Sequence, residues 1–130
     1  MGNLLLQRLI LTKNQLHPDE PQNVTGKFES DGSISITFDP VAGAKTYLTH
    51  YGNANQSDPK QAVNMGCTES NTWNLSVENI PLLEDGDKIY IYVQAYNELA
   101  VGADEVEKAR YLHDGDFLGS AWSDPIVLTK

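Results

Sequence analysis

Residues 89–97 read Ile-Tyr-Ile-Tyr-Val-Gln-Ala-Tyr-Asn, and no other stretch restricts the fold as tightly. Side chains on a strand alternate between two faces, so Ile89, Ile91, Val93 and Ala95 make an aliphatic face and Tyr90, Tyr92, Gln94 and Tyr96 an aromatic, polar one. A strand with one side for a core and an aromatic side for a second covering belongs in the middle of a sheet. The other segments are placed against it.

The chain has 130 residues, enough for one domain with an appendage that buries a core without disulfides or metals. Cys67 is the only cysteine, so packing holds the fold and cysteine usage leaves the compartment open. A formal net charge of −9 repels phosphate backbones and anionic head groups, which argues against nucleic acid and membrane surfaces as partners. No apolar run approaches the roughly 20 residues of a membrane-spanning helix. Residues 1–11 are Leu-rich, but no basic residue precedes the apolar run, Arg8 interrupts it and no small-residue cleavage site follows, so the segment is read as retained rather than as a signal peptide. That points to cytoplasmic synthesis, with assembly into a larger complex as the destination.

The division expected is an N-terminal apolar arm and Pro hinge over residues 1–19 and a β domain over 20–130. In the arm, Leu5, Leu9 and Leu16 share one helical face, while an extra edge strand through Leu9 and Leu11 fits as well. His17-Pro18 stops any helix, because a residue before proline is driven out of the α region. An isolated helix of this length is marginal in water, so its apolar side needs a docking surface or a copy of itself. Strands are then expected at 24–28, at 34–38 after an Asp31-Gly32 turn, at 45–51, at 62–65 closed by Gly66, through Trp73, Leu75 and Val77, at 89–97 and at 125–129. On the third of these, Tyr47, Thr49 and Tyr51 face one way and Leu48 and His50 the other. Residues 98–119 form a connection longer than paired strands normally need, with helix formers over 103–112 that predict a short helix inside it.

Seven short strands with turns between them argue for an antiparallel β-sandwich. Particular motifs go further. Phe38-Asp-Pro-Val-Ala-Gly-Ala-Lys-Thr-Tyr47 resembles the second-to-third strand passage of fibronectin type III domains, and Val77-Glu-Asn-Ile80 their approach to the corner before the sixth strand. Ile89-x-Ile91-x-Val93-x-Ala95-x-Asn97 is similar to the family's sixth strand, and Ser120-Ala-Trp-Ser-Asp-Pro-Ile-Val-Leu-Thr129 to its closing strand. The resemblance runs from about Pro21 to Thr129. It implies an all-β, seven-stranded sandwich that is non-catalytic. Phe38 replaces the usual Trp, and Ile89 stands where a corner Tyr is expected, so that corner hydrogen bond is missing or a bulge brings Tyr90 into it. No Arg-Gly-Asp occurs, which removes the ground for integrin-type adhesion.

Reactive constellations are not apparent. His17, His50 and His113 lie on unrelated segments, and no Ser or Cys sits in a nucleophile motif, so no catalytic residue and no cofactor is assigned. Asp85-Gly86-Asp87 and Asp114-Gly115-Asp116 carry carboxylates in the manner of calcium loops, yet Asp-Gly is ordinary turn chemistry and no ligand loop surrounds either, so no metal site is assigned. The candidate interface is the arm with the strand face opposite the core: Leu5, Leu9, Leu48, His50, Tyr90, Tyr92 and Tyr96. Either the arm, the long connection or a partner subunit covers that face. Arg110, Tyr111, Phe117 and Trp122 are the candidate contacts of the long connection, Trp122 also serving to pack the closing strand.

The function expected is that of a non-catalytic interaction or assembly module with a protein partner or a second copy. Similar modules occur on tailed-phage virion proteins, which makes a phage or prophage component the setting that the resemblance implies. The alternative is an adhesion module for carbohydrate or a cell-surface protein, working through the long connection.

Overall fold

The structure, a computed structural model, describes residues 17–130; Leu5, Leu9 and the rest of residues 1–16 lie outside the described residues. Seven strands form two antiparallel sheets: β1 (Thr25–Phe28), β2 (Ile34–Thr37) and β5 (Thr72–Leu75) in the order β1-β2-β5, and β3 (Thr46–Tyr51), β4 (Asn64–Thr68), β6 (Lys88–Tyr96) and β7 (Ile126–Thr129) in the order β4-β3-β6-β7. The 89–97 run is the central strand expected. It pairs with β3 on one side and β7 on the other, Tyr47 opposite Ala95 and Ile91 opposite Ile126.

Period-two patterning decides which residues go between the sheets. Ile89, Ile91, Val93 and Ala95 are fully buried and meet Ile34, Ile36, Trp73 and Leu75 of the other sheet. Phe38, in the place of the family's Trp, packs edge-on against Tyr47 with ring centroids 4.7 Å apart. The Tyr47 hydroxyl in turn accepts the Val41 amide at 2.9 Å, which ties the β2–β3 connection to the core. Asp31 makes the turn before β2: its Oδ1 accepts the Ser33 amide at 2.9 Å and hydroxyl at 2.6 Å, and Gly32 takes a φ of 90° that a residue with a Cβ resists.

Three expectations are corrected. The weak strand lies over Asn64–Thr68 rather than 62–65, with Gly66 inside it instead of closing it. The Trp73-Leu75-Val77 alternation ends at Leu75, because Val77–Asn79 turns as a 3-10 helix that leaves Val77 half exposed. The helix of the long connection, α1, spans Glu105–Asp114 instead of 103–112, because the Asp104 side chain caps it by accepting the Glu107 amide at 2.9 Å. At the corner before β6, the Tyr90 hydroxyl makes no hydrogen bond among the described residues, so the family's corner bond is missing there. Among the described residues no helix is long and apolar enough to cross a membrane.

Candidate functional site

The outer face of the four-stranded sheet is where the sequence placed its aromatic patch, and the structure closes most of it. Helix α1 lies over β4, and Ala109 and Leu112, three residues apart on its buried side, join Leu48, Cys67 and Tyr96 in a second apolar cluster. Leu48 is 0 % exposed, and His50, Tyr92 and Tyr96 are buried as well. Of the three covers considered for this face, the one seen is the chain's own long connection, together with Trp122. Tyr90 remains half-buried at the margin beside its β7 neighbour Val127, which is 40 % exposed.

His50 is the centre of that face. Met65 of β4 and Tyr92 of β6 stand opposite it in the ladder. Trp122 stacks on the imidazole, with ring centroids 3.9 Å apart and planes 9° from parallel, and tilts against Tyr92 at 5.4 Å. The Gln94 side chain donates to the Ser120 carbonyl at 3.0 Å, which leaves its oxygen to accept from His50 Nε2 at 2.9 Å and sets the tautomer. Burial, with His113 of α1 adding a like charge nearby, pushes His50 down to about 4 even though Gln94 acts the other way. The ring is neutral and enclosed, a packing group rather than a proton shuttle.

Two serines hold Trp122 over this spot. Ser123 donates its amide to the Val93 carbonyl at 2.8 Å, and its Oγ accepts the Val93 amide at 2.9 Å. Ser120 repeats the exchange with Ala95 at the same two distances, 2.8 and 2.9 Å. The Ser-x-x-Ser spacing thus continues the pairing of β6 where β7 has not yet begun. Both serines are buried, and the intervening residues project Trp122 onto the outer face.

Glu105, which the sequence reading did not single out, fastens the helix to both sheets. Its Oε1 accepts the Cys67 amide of β4 at 2.8 Å and the indole N–H of Trp73 on β5. This satisfies two donors along the open side between the sheets. Gly66 makes the approach feasible, since a Cβ there would meet the Trp73 ring, Thr49 Oγ1 at 2.5 Å and Glu105 Oε1 at 2.7 Å. Two signals in the sequence bear on it: the Asp104-x-x-Glu107 pattern of a helix start, and a glycine inside a strand, which marks a close approach. Cys67 is buried, and burial followed by the charge of Glu105 pushes its thiol up to about 11, so it stays protonated.

On the long connection, Arg110 and Tyr111 point outward, Tyr111 being 41 % exposed and tilted on Phe117 at 5.2 Å. Phe117 packs beside the second cluster, and Trp122 is engaged with His50. Asp85-Gly86-Asp87 forms a turn in which Asp87 accepts the Glu84 amide at 2.9 Å and the Asn55 side chain at 3.0 Å; these bonds lower its pKa. Among the described residues no group of three acidic, His or Cys side chains is placed to hold a metal ion. An apolar groove near Val77 and Leu82, at the end of the sandwich that carries Lys130, was not anticipated.

No family model matches the sequence, and no curated protein matches it. Solved structures do: the fibronectin type III domain of the human collagen α-1(XX) chain superposes with a TM-score of 0.52 over 87 % of this chain and 85 % of that one, at 17 % identity. The fold is that of a fibronectin type III sandwich, as the motifs implied.

Proposed function

We propose that this protein is a non-catalytic interaction or assembly module that docks through its Leu-rich N-terminal arm, with a second copy or another protein as receptor. The observation that carries the reading is that α1 and Trp122 already occupy the aromatic sheet face, so the arm's apolar side chains are left to serve another surface. The margin at Tyr90 and Val127 is what that face still offers a partner. The buried, neutral His50 and the protonated Cys67 support a role without chemistry. A component of a tailed-phage or prophage virion is the setting we favour, by analogy of fold.

Light scattering on the full chain tests the reading: the protein associates, and the variant Leu5→Asp with Leu9→Asp does not, while its thermal midpoint stays within about 2 °C, as expected for a substitution that costs the fold little. An arm variant that associates like the parent would overturn the docking role. Mass spectrometry of purified particles tests the setting, and absence of the chain from them ends it. The alternative, binding of carbohydrate or a cell-surface protein, has the outward-facing Arg110 and Tyr111 as its surface. It predicts a monomer that retains glycan binding when the arm is altered and loses it in Tyr111→Ala.

A further inference from the structure

Strand pairing sorts the ends of the sandwich into two poles. Phe28, Tyr51, Lys88 and Thr129 lie at one, and Thr25, Thr37, Thr46 and Tyr96 at the other. At the first pole Phe28, Val77, Ile80, Leu82 and Leu83 line a groove of about 500 Å³, with Thr129 and Lys130 along its side. Leu82 is 89 % exposed and Val77 50 %. Apolar surface gathered in this way marks a contact site. The segments that frame the groove carry Glu29, Asp31, Glu78, Glu84 and Asp85, of which Glu29 pairs with Lys27 at 3.7 Å. Lys130 is the basic residue in the lining, and its ammonium donates to the Leu83 carbonyl at 3.1 Å. The surface therefore suits a segment that is apolar and basic.

The arm has that composition. Within residues 1–16, Leu4, Leu5, Leu6, Leu9, Ile10 and Leu11 supply apolar surface, and Arg8 and Lys13 are the only charged side chains. It enters the sandwich at the opposite pole, where Pro18 and Pro21 are buried and the Gln22 carbonyl accepts the Asp39 amide at 3.0 Å. Reaching the groove of its own chain would take it back along the whole sandwich. The distance is roughly 30 Å for a strand as long as β6; these residues wound as a helix would span about 24 Å and fall short, and only an extended arm would cover it. A second copy imposes no such return path.

We propose that the groove at the Lys130 pole receives the N-terminal arm of a second copy, with the arm's leucines in the groove and Arg8 and Lys13 against its acidic frame. This rests on the reading of the arm as the docking element and names its receptor. The two surfaces differ, so the contact is heterologous and joins copies head to tail.

The test uses the full chain in two variants, Leu5→Asp with Leu9→Asp in the arm and Val77→Asp with Leu82→Asp in the groove, each checked for native circular dichroism. The parent should gain mass with concentration and lose it at high salt, as charge pairing between solvent-exposed groups requires. Each variant alone should associate at least tenfold more weakly. Their equimolar mixture should form a complex that stops at two chains, because one partner lacks a working arm and the other a working groove. A groove variant that associates like the parent while the arm variant does not would overturn the groove and spare the arm's role. A mixture that stays monomeric while the parent associates would also overturn the proposal. A parent and both variants that are all monomeric would overturn self-assembly altogether.

Discussion

The two faces of the four-stranded sheet are built on opposite rules. The inner face, Ile89, Ile91, Val93 and Ala95 with their partners across the sandwich, is aliphatic along β6 and aromatic at Phe38, Tyr47, Tyr51 and Trp73, and closes against another sheet. The outer face carries Leu48, His50, Tyr92, Gln94 and Tyr96 and closes against a single helix and one tryptophan. The inner face gains mainly from apolar burial and leaves the buried Thr49 hydroxyl without a partner among the described residues, whereas a face containing His and Gln must satisfy its polar atoms. Gln94, which accepts from His50 and donates to Ser120, does that here. The inner face holds the fold together, and the outer face holds a lid.

The largest effect should come from opening a cavity between the sheets. Ile91→Ala is expected to lower unfolding free energy by about 4 kcal/mol in urea titrations, whereas Leu48→Ala, beneath a helix that can settle, should cost about 2 kcal/mol. Equal costs would erase the distinction between the faces and show α1 packed as rigidly as a sheet.

Acid should act next, and on the outer face. His50 has its folded pKa depressed to about 4 from the usual 6.5, so between those values the unfolded chain binds a proton that the folded one refuses. Stability therefore falls as pH drops through that window, by on the order of 3 kcal/mol at its lower end, and this contribution levels off below it. Denaturation midpoints across the window check it, with His50→Phe as the variant that should lose this slope. A slope unchanged in that variant would assign the effect elsewhere.

Removing the strut is expected to do less globally but more locally. Glu105→Ala leaves the Cys67 amide and the Trp73 indole without their acceptor and should cost about 2 kcal/mol. Hydrogen exchange should show residues 105–114 losing protection while β6 keeps its own. Uniform loss across both would mean that lid and sandwich open as one unit. The smallest effect is expected at Tyr111→Ala, within about 0.5 kcal/mol by thermal unfolding, because that ring is largely outside the cluster.

Much of this fold could be read from the chain. Alternation in residues 89–97 placed the central strand and its core side, and the turn at Asp31-Gly32 fixed the first hairpin. The outer face was harder, for a physical reason: Leu48 and Tyr96 look alike in sequence whether a partner or a distant helix of the same chain covers them. Whether a connection folds back onto a sheet depends on long-range bonds such as Glu105 to Trp73, which leave no periodic trace. The shift of β4 has the same origin. Gly66 looks like a strand ending until the approaching carboxylate is seen.

The most direct measurement of the central claim, that the chain covers its own aromatic face, is an NMR titration of His50. A midpoint near 4 is expected, with nuclear Overhauser contacts between the His50 and Trp122 rings. A midpoint near the unperturbed value of about 6.5, with those contacts missing, would contradict it.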